Sequence, residues 1–483
     1  MASKMNNCSS CLSVGSPTPT SLSLNRHSSL FFVSCTTKLT ILPTCSNASA
    51  HSSSSSFSRS YTRPWYNPLS PRNFDRDPEI ERQWIEADQP LASEERFTVA
   101  SYNILADRNA SEHRDLYTNV PSHYVKWDRR RRVICTELFG WDPDIICLQE
   151  VDKYVELSNI LVKAGYTGSY KSSYQSIKER NYVNLMTSEN GLQRRTGDTI
   201  DGCAMFWKAD KFQLLEAENI EFKGIGLRDN VAQLSVFEMR NSDSRRILIG
   251  NIHVLYNPSR GEVKLGQIRF LLSRAQALSE KWGNAPVVLA GDFNSTPQSG
   301  IYKFLSSSEL NIMFYDRRDL SGQKSCHPAQ VLGYKKETVN PFILMDRLFK
   351  GWTDEEVKIA TGNSQHHLVM HPLKLNSSYA TIKGSARTRG FNGEPLATSY
   401  HSKFLGTVDY LWYSGNIIPT RVLDTVPIDI LRKTGGLPCK RVGSDHLALV
   451  SEFAFSLTTT IATTDIVAAA ENKEQENLQS ENC

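Results

Sequence analysis

The first 74 residues of this 483-residue chain contain no aspartate and no glutamate, and only six of them are basic. These six charges exceed the formal net charge of +4, so the rest of the chain carries a net charge of −2. An almost neutral balance does not indicate a protein that binds nucleic acid through its overall charge. Any polyanion must therefore be held locally, by metal ions or by a basic groove.

The chain also lacks a long apolar run and a paired-cysteine pattern. No apolar segment reaches the roughly 18 residues that a membrane-spanning helix needs. The ten cysteines are scattered, and the Cys8-x-x-Cys11 motif has no second pair at the spacing of a zinc site. Cys147 and Cys203 lie in apolar, strand-like segments, which predicts small buried side chains. We therefore predict no membrane partner, no zinc site and no secreted disulfide framework.

Residues 1–75 have the composition of a targeting segment. They are rich in serine and threonine, poor in acid and sparsely basic, and Ser52–Ser56 is a run of serine. This composition is typical of an organellar transit peptide, although a disordered tail without a targeting role shares it. We interpret residues 1–75 as a disordered leader with the features of a transit peptide, and residues 76–94 as a linker.

Regular structure is predicted between residues 95 and 457, followed by a disordered tail at 458–483. The predicted strands are 97–103, 145–150, 201–207, 231–237, 246–253, 285–290, 406–414 and 446–455. Helices are predicted from Lys126, at 264–282 and at 299–305, and a loop is predicted at 105–121. Residues 310–395 show no clear period, and we interpret them as a long insertion.

Four consecutive arginines, Arg129–Arg132, lie on the helix predicted from Lys126. Such a run suits contacts with a phosphate backbone, but a solvated helix face has the same composition. The sequence favours the solvated face.

The segment Ala285–Pro297 places two polar side chains directly after a buried strand. Asp292 and Asn294 are two residues apart, so in extended chain they point to the same side. A carboxylate beside a carboxamide suits a hydrated divalent cation and a phosphate. An Asx turn that closes a strand is the alternative. Pro297 then predicts the start of a helix, with proline near its first position.

The same pattern recurs along the chain, where apolar strands end in polar residues. These residues are Asn103, Glu150, His253, Asp292 with Asn294, Asp409, and Asp445 with His446. Each alone has an ordinary explanation as a surface, core or turn residue, but together they predict one cleft lined by strand ends. Asp445 and His446 would face opposite sides of a regular strand, so they share a site only on an irregular entry, which Gly443 permits.

The residue types in this cleft indicate a class of chemistry. Glu150 and Asp445 are hard oxygen ligands, which suit Mg²⁺ or Mn²⁺. The two asparagines can orient a phosphate or a water without adding charge. His446 has an unperturbed pKa near neutrality, and a carboxylate such as Asp409 would hold it in one tautomer as an acid–base group or transition-state donor. Together they indicate a phosphodiester hydrolase that uses metal ions.

Several short motifs resemble those of a known superfamily, the exonuclease–endonuclease–phosphatase superfamily. The motifs are Ser101-Tyr-Asn103, Leu148-Gln-Glu150, Gly291–Ser295, Val408-Asp-Tyr410 and Ser444-Asp-His446. Others are similar to its deadenylase branch, the carbon catabolite repressor protein 4 and nocturnin group, including plant members: Lys126–Arg130, Asp201–Ala204, Pro258, Val263–Gln267 and Phe404–Ser414. The resemblance covers residues 95–457 and is weakest at 310–390.

The resemblance implies an α/β fold, a four-layer α/β sandwich of two packed β-sheets flanked by helices. It implies that Mg²⁺, or alternatively Mn²⁺, is held by Glu150, Asn103, Asp445 and Asp292. The catalytic residues it implies are His446, Asp409, Asp292, Asn294 and His253. Substrate would contact Asn294 and His253, with an adenine between Pro258 and Phe404.

The function implied is a Mg²⁺-dependent 3′→5′ exoribonuclease that removes poly(A) from mRNA and releases 5′-AMP. A phosphatase acting on a small nucleotide, such as the 2′-phosphate of NADP(H), is the alternative. A binding module with an inactive site is a third reading, against which the complete set of acids and histidine argues.

The resemblance implies RNA with a 3′ poly(A) tail as partner, and cytoplasm and nucleus as the location, whereas the leader suggests plastid or mitochondrion. Two departures stand out. The leucine-rich repeats that dock well-known members into the deadenylase complex have no counterpart in the low-complexity segment. Gly443 stands where the branch often has proline, which predicts a less rigid loop.

Overall fold

The computed structural model describes residues 78–88, 95–168, 192–196, 200–240, 245–333 and 351–456. The leader at 1–75 and the tail at 458–483 lie outside these residues. No described helix is both long and apolar enough to cross a membrane.

The described chain contains eighteen strands and ten α-helices. The strands are β1 (Trp84–Glu86), β2 (Arg96–Asn103), β3 (Ile145–Gln149), β4 (Tyr166–Gly168), β5 (Leu192–Arg194), β6 (Gly202–Lys208), β7 (Phe212–Glu221), β8 (Val231–Met239), β9 (Arg246–His253), β10 (Val287–Asp292), β11 (Glu309–Asn311), β12 (Leu368–Met370), β13 (Asn376–Ser377), β14 (Ser399–His401), β15 (Phe404–Gly406), β16 (Asp409–Ser414), β17 (Ile417–Leu423) and β18 (Leu449–Phe455). The α-helices are α1 (Asp107–Glu112), α2 (Ser122–Val125), α3 (Trp127–Trp141), α4 (Tyr154–Lys163), α5 (Gly261–Lys281), α6 (Gly300–Ser307), α7 (Pro328–Val331), α8 (Asp354–Thr361), α9 (Ser378–Thr381) and α10 (Ile428–Thr434).

Two mixed sheets carry the architecture. The first has the order β1-β17-β18-β2-β3-β6-β4, with β5 also paired to β6, and the second has the order β13-β16-β10-β9-β8-β7. In the first sheet, Ile145 and Cys147 point into the core shared with the second sheet, while Ile146 and Leu148 pack against α3 and α4. This period of two is that of a strand buried on both faces.

The second sheet repeats the arrangement. Val288 and Ala290 of β10 point into the shared core, whereas Val287 and Leu289 pack against α5 and α6. Helix, sheet, sheet and helix therefore form four layers, which confirms the predicted α/β sandwich. Cys147 and Cys203 are fully buried thiols, as predicted.

Strand direction brings the predicted site to one edge of the sandwich. β2 and β3 are parallel, as are β9 and β10, so their carboxyl ends meet there. β16 runs antiparallel to β10, and β18 antiparallel to β2, so these two strands begin where the others end. Asp409 is therefore the first residue of β16, and the Asp445–His446 pair precedes β18 at a strand entry, although we had grouped all three with the polar residues that end strands. They reach the same edge because the strands run the opposite way.

Several boundaries differ from prediction for identifiable reasons. The helix α6 begins at Gly300, as predicted to within one residue, but Pro297 is not at its first position because the Ser299 hydroxyl caps the helix by accepting the N–H of Tyr302 (3.0 Å). The strand predicted at 406–414 is interrupted because Thr398 Oγ1 accepts the N–H groups of Val408 (3.0 Å) and Asp409 (3.2 Å).

Three segments without predicted structure contain regular elements. The loop predicted at 105–121 holds α1 and a 3₁₀ turn at Arg114–Tyr117. The predicted linker contributes β1, which pairs with β17 at the sheet edge. In the described parts of 310–395, β13 pairs with β16, and α8 starts with a capping box between Thr353 and Glu356. Thr-x-x-Glu before an apolar residue is the signal that we overlooked.

Candidate active site

Glu150 leaves β3 with a left-handed backbone (φ 57°), which turns its side chain toward α1. Its Oε2 accepts the N–H of Ala106 (3.1 Å) and Nδ2 of Asn109 (2.8 Å). Its Oε1 accepts Nδ2 of Asn103 (3.2 Å). Three donors fix the orientation of this carboxylate, and Asn109 among them was not predicted.

Asn103 joins the two sheets at the site. Its Nδ2 also donates to Oδ2 of Asp292 (3.1 Å), and its Oδ1 accepts the N–H of Leu105 (3.1 Å). Glu150, Asn103 and Asp292, three of the four predicted metal ligands, are therefore held together by direct hydrogen bonds.

Asp292 forms the Asx turn that was one interpretation of its sequence, and its second oxygen is left facing the site. Oδ1 accepts the N–H of Asn294 (2.8 Å), which closes an Asx turn. Oδ2 faces the site, 3.6 Å from His253 Nε2 and 3.9 Å from His446 Nε2. Burial, together with the negative charge of Asp409, raises the pKa of Asp292 to about 7.

His446 and Asp409 form the predicted pair. The distance between His446 Nδ1 and Asp409 Oδ2 is 2.8 Å, and Thr398 Oγ1 donates to the same oxygen (2.6 Å). Burial alone would lower the pKa of His446, but the charge and the hydrogen bond of Asp409 raise it well above its ordinary value. The raised pKa favours the protonated imidazole, whose Nε2 faces Asp292.

Asp445 lies beside this pair on an irregular segment. His446 forms an isolated bridge to Ser399 before β18 starts, which is the irregular entry that two adjacent site residues require. Tyr117, which sequence did not indicate, donates to Asp445 Oδ2 (2.9 Å). Burial raises the pKa of Tyr117 well above its usual value, and the charges of Asp445 and Glu150 add to this effect. Both carboxylates therefore lie close to the same phenol.

Gly443 is explained by close packing. A Cβ at this position would lie 2.8 Å from the carbonyl oxygen of Arg130 and 2.6 Å from a side-chain carbon of Ile134. The next residue is also fastened, because Ser444 Oγ donates to the carbonyl of Asn103 (2.6 Å). The glycine lets the loop approach α3, and these contacts restrain it.

His253, at the end of β9, lies directly opposite Asp292 in the parallel register. Burial, together with the positive charge of Arg195, lowers the pKa of His253 to about 4. Its Nδ1 is buried and has no hydrogen-bond partner among the described residues. A neutral imidazole with one free ring nitrogen can take part in binding a substrate.

Asn294 is held by two residues whose role was not predicted. Its backbone is left-handed (φ 47°), its Nδ2 donates to the carbonyl of Val254 (3.0 Å), and its Oδ1 accepts Nε2 of Gln323 (3.0 Å). The fully buried Lys264 donates to the carbonyl of Asn294 (2.7 Å) and to Gln323 Oε1. Lys264 belongs to the Val263–Gln267 motif, whereas nothing in the local pattern pointed to Gln323.

Pro258 lies on the loop after β9, and Phe404 lies on the hairpin of β14 and β15. Pro258 is half-buried after β9, and its carbonyl accepts the hydroxyl of Ser321 (3.4 Å). Phe404 is buried at the start of β15, with its ring centroid 6.0 Å from that of His401. Their contact with an adenine remains a prediction.

The arginine run forms the predicted solvated face only in part, because Arg132 is exposed and Arg129 and Arg131 are partly exposed, but Arg130 is not. Arg130 is fully buried and donates to the carbonyls of Ile104 (2.9 Å), Leu105 (2.8 Å) and Val125 (2.9 Å). It therefore supports the chain that leaves Asn103. A guanidinium with five donors is suited to satisfying several carbonyls at once.

The donor set fits a hard cation. Among the described residues, Asp292, Asp409 and His446 offer ligand atoms within 4.8 Å of one another. Asp292 is also joined to the predicted ligand Glu150 through the amide of Asn103, which donates to both carboxylates. A divalent cation bound there would stabilise charge on a phosphate and polarise a water.

The sequence of this chain is similar to a known family and to several known proteins. The Endonuclease/Exonuclease/phosphatase family matches residues 100–446. "Carbon catabolite repressor protein 4 homolog 3" of Arabidopsis thaliana is 57% identical over 407 residues, covering 83% of this chain and 86% of the relative. The "CCR4-Not complex 3'-5'-exoribonuclease subunit Ccr4" of Mycosarcoma maydis is 27% identical over 78% of this chain and 54% of its own length.

A solved structure is also similar. The crystal structure of ANGEL2, "a 2',3'-cyclic phosphatase", in complex with adenosine-2',3'-vanadate has a TM-score of 0.60 and 28% sequence identity. The similarity covers 79% of this chain and 100% of that one.

Proposed function

The chain belongs to the endonuclease/exonuclease/phosphatase family, and we propose that it is a Mg²⁺-dependent 3′→5′ exoribonuclease that shortens poly(A) tails and releases 5′-AMP. The observation that carries this proposal is the buried arrangement in which His446, paired with Asp409, faces Asp292. A relative described as a 3'-5'-exoribonuclease supports the choice of reaction.

Different residues have different roles in the proposed hydrolysis. Water attacks the phosphorus of the last nucleotide, the bond to O3′ of the preceding ribose breaks, O3′ takes a proton from solvent, and 5′-AMP leaves with the phosphate. Asp292 takes the proton of the water, a task that suits a carboxylate whose pKa is about 7. Protonated His446 donates to the phosphate oxygens as negative charge develops on them. His253 and Asn294 hold the phosphate in line for attack.

The choice of base and the setting of the reaction are also proposals. An adenine held between Pro258 and Phe404 would give the preference for poly(A), because a purine offers a large face for stacking. RNA with a 3′ poly(A) tail is the partner, and the relative named as a CCR4-Not subunit supports membership of a deadenylase complex. The location is cytoplasm and nucleus, with plastid or mitochondrion as the alternative.

A phosphatase is the second candidate, and the similarity to ANGEL2 favours it. That protein is described as a 2',3'-cyclic phosphatase. The same histidine pair and carboxylates would serve a terminal 2′,3′-cyclic phosphate or the 2′-phosphate of NADP(H). The two candidates differ only in what the loops around the site accept.

Activity of the purified full chain with Mg²⁺ distinguishes them. We expect a 5′-labelled RNA ending in twenty adenosines to give a ladder of shortened tails. The ladder should be absent with Glu150→Ala, which removes a predicted metal ligand. RNA with a mixed 3′ end, RNA with a 2′,3′-cyclic phosphate end, and NADPH are tested in parallel. If poly(A) stays intact while the 2′,3′-cyclic phosphate is opened or phosphate is released from NADPH, the result would contradict the exoribonuclease and favour the phosphatase.

A further inference from the structure

An aromatic side chain beside the site has no part in the mechanism above. Tyr256 follows His253 by three residues, and its side chain is 58% exposed. Aromatic rings of this size are usually placed in the core, where their burial stabilises the fold. A tyrosine that stays at the surface next to a catalytic cluster offers a flat face to a ligand.

The hairpin of β14 and β15 lies beside the catalytic carboxylates, because the Tyr400 N–H donates to the carbonyl of Asp445 (3.0 Å). The hairpin and the loop after β9 both contact the segment at 321–326, since Leu405 donates its N–H to the carbonyl of Cys326 (2.8 Å) and Ser321 donates its hydroxyl to the carbonyl of Pro258 (3.4 Å). Partial burial raises the pKa of Tyr256, and the positive charge of Lys403 opposes this effect. The loop that carries Tyr256 and the hairpin that carries Lys403 therefore meet beside the site.

The backbone at Lys403 is fixed by hydrogen bonds, whereas its ammonium group lies at the surface. At the hairpin tip, Ser402 donates its N–H to the carbonyl of Leu116 (3.0 Å) and its hydroxyl to the carbonyl of Asp115 (3.0 Å). The ammonium of Lys403 pairs with Asp115, and the two side chains are 59% and 57% exposed. An exposed pair of this kind contributes little to stability, so a phosphate can replace the carboxylate at small cost.

We propose that Tyr256 and Lys403 form a second nucleotide subsite, which binds the nucleotide that precedes the one being removed. The Tyr256 ring stacks on its base, and the Lys403 ammonium binds its phosphate. The inference rests on the proposed function, because only a polymer has a nucleotide in this position. Stacking on one ring tolerates any base, so the subsite selects for a chain over a mononucleotide and leaves the choice of adenine to the neighbouring position.

The test compares two RNA substrates that differ in one base. Both end in twenty adenosine units, but in one the penultimate unit is abasic. With the intact RNA we expect Tyr256→Ala to raise KM about tenfold and to leave kcat within about twofold. With the abasic RNA the variant and the wild type should have equal KM. Tyr256→Phe should behave as wild type, because the ring is kept.

Two further variants sharpen the result. Phe391→Ala removes an aromatic side chain that is 93% exposed elsewhere, and it should change neither substrate's kinetics. Lys403→Ala should raise KM for both RNAs and reduce the dependence of KM on salt, as expected for the loss of one phosphate contact.

The outcomes separate the subsite from the function. If the wild type shortens the tail but Tyr256→Ala has the same KM as wild type, or is impaired equally on both RNAs, the subsite is wrong and the function stands. If the wild type does not shorten the tail, both are wrong.

Discussion

The site consists of two regions that are built differently. Its floor, formed by Asn103, Asp292, Asp409, Asp445 and His446, is buried, and each of its side chains has at least one hydrogen-bond partner in the protein. Its rim is formed by Tyr256 and Pro258 on the loop after β9 and by Lys403 and Phe404 on the hairpin of β14 and β15.

The difference between floor and rim bears on what each region can determine. The floor comes from strand ends of both sheets, so a change there disturbs atoms that many contacts have already fixed. The rim includes an exposed ion pair and an exposed ring, which can change without disturbing the sheets. We therefore expect the floor to determine the reaction and the rim to determine the substrate.

The largest effect is expected at the centre of the floor. Asp409→Asn removes the charge that holds the proton on His446, so we expect kcat to fall about 10³-fold. Burial then lowers the pKa of His446, and the protonated form is lost as the pH rises through the lowered value. Below pH 7 the wild type should gain activity with rising pH as Asp292 loses its proton, whereas the variant should gain less because its His446 loses its proton over the same range. Steady-state kinetics at several pH values measure both effects.

An exposed aspartate provides the matched control for this variant. Asp429→Asn removes a carboxylate that pairs with Arg387 at the surface, and its kinetics should equal those of the wild type. A kcat for Asp409→Asn within tenfold of wild type would mean that His446 does not depend on its partner.

A loss of activity of intermediate size is expected for a variant of Lys264, which holds Asn294 from behind the site. Lys264→Met removes the donor to the carbonyl of Asn294 and to Gln323 while it keeps a side chain of similar length. We expect kcat to fall about 10- to 100-fold with little change in KM, as for partners that orient an active-site residue. The melting temperature should change little, because burial of the Lys264 ammonium is itself unfavourable.

A double variant tests whether Lys264 acts through Asn294. In an Asn294→Ala background, Lys264→Met should cost no further activity, since the residue that it orients is gone. Lys281→Met, at the far end of the same helix, removes a surface pair with Glu216 and serves as control. Additive losses together with a lower melting temperature would point to a purely structural lysine.

The floor was largely predictable from sequence, because apolar strands that end in polar residues are a local pattern. Asp292 and Glu150 were found in this way, and the strand directions of the sandwich then explained how Asp409 reaches the same edge from the start of its strand. Residues that act through tertiary contacts were not predictable. Thr398 reaches Asp409, and Tyr117 reaches Asp445, from segments without any pattern of their own.

The arginine run shows a second limit of sequence reasoning. Composition suggested a solvated face, yet Arg130 is buried because the loop after Asn103 exposes carbonyls that need donors. These carbonyls need donors from a side chain only once the chain has folded. The rim is less predictable still, since the position of Tyr256 opposite Lys403 depends on how two loops meet.

The smallest effect on the reaction is expected at the rim, where Phe404→Leu should change preference instead of rate. Leucine keeps the contact with the hairpin core but loses the flat face, so an adenine at the 3′ end gains less from stacking. We expect the ratio of kcat/KM for RNA ending in adenosine to that for RNA ending in uridine to fall about tenfold, while kcat on adenosine stays within about threefold. Phe314→Leu, at an exposed ring elsewhere, should leave the ratio unchanged. An equal loss on both RNAs would mean that Phe404 supports the floor, and the division between the two regions would then fail at this residue.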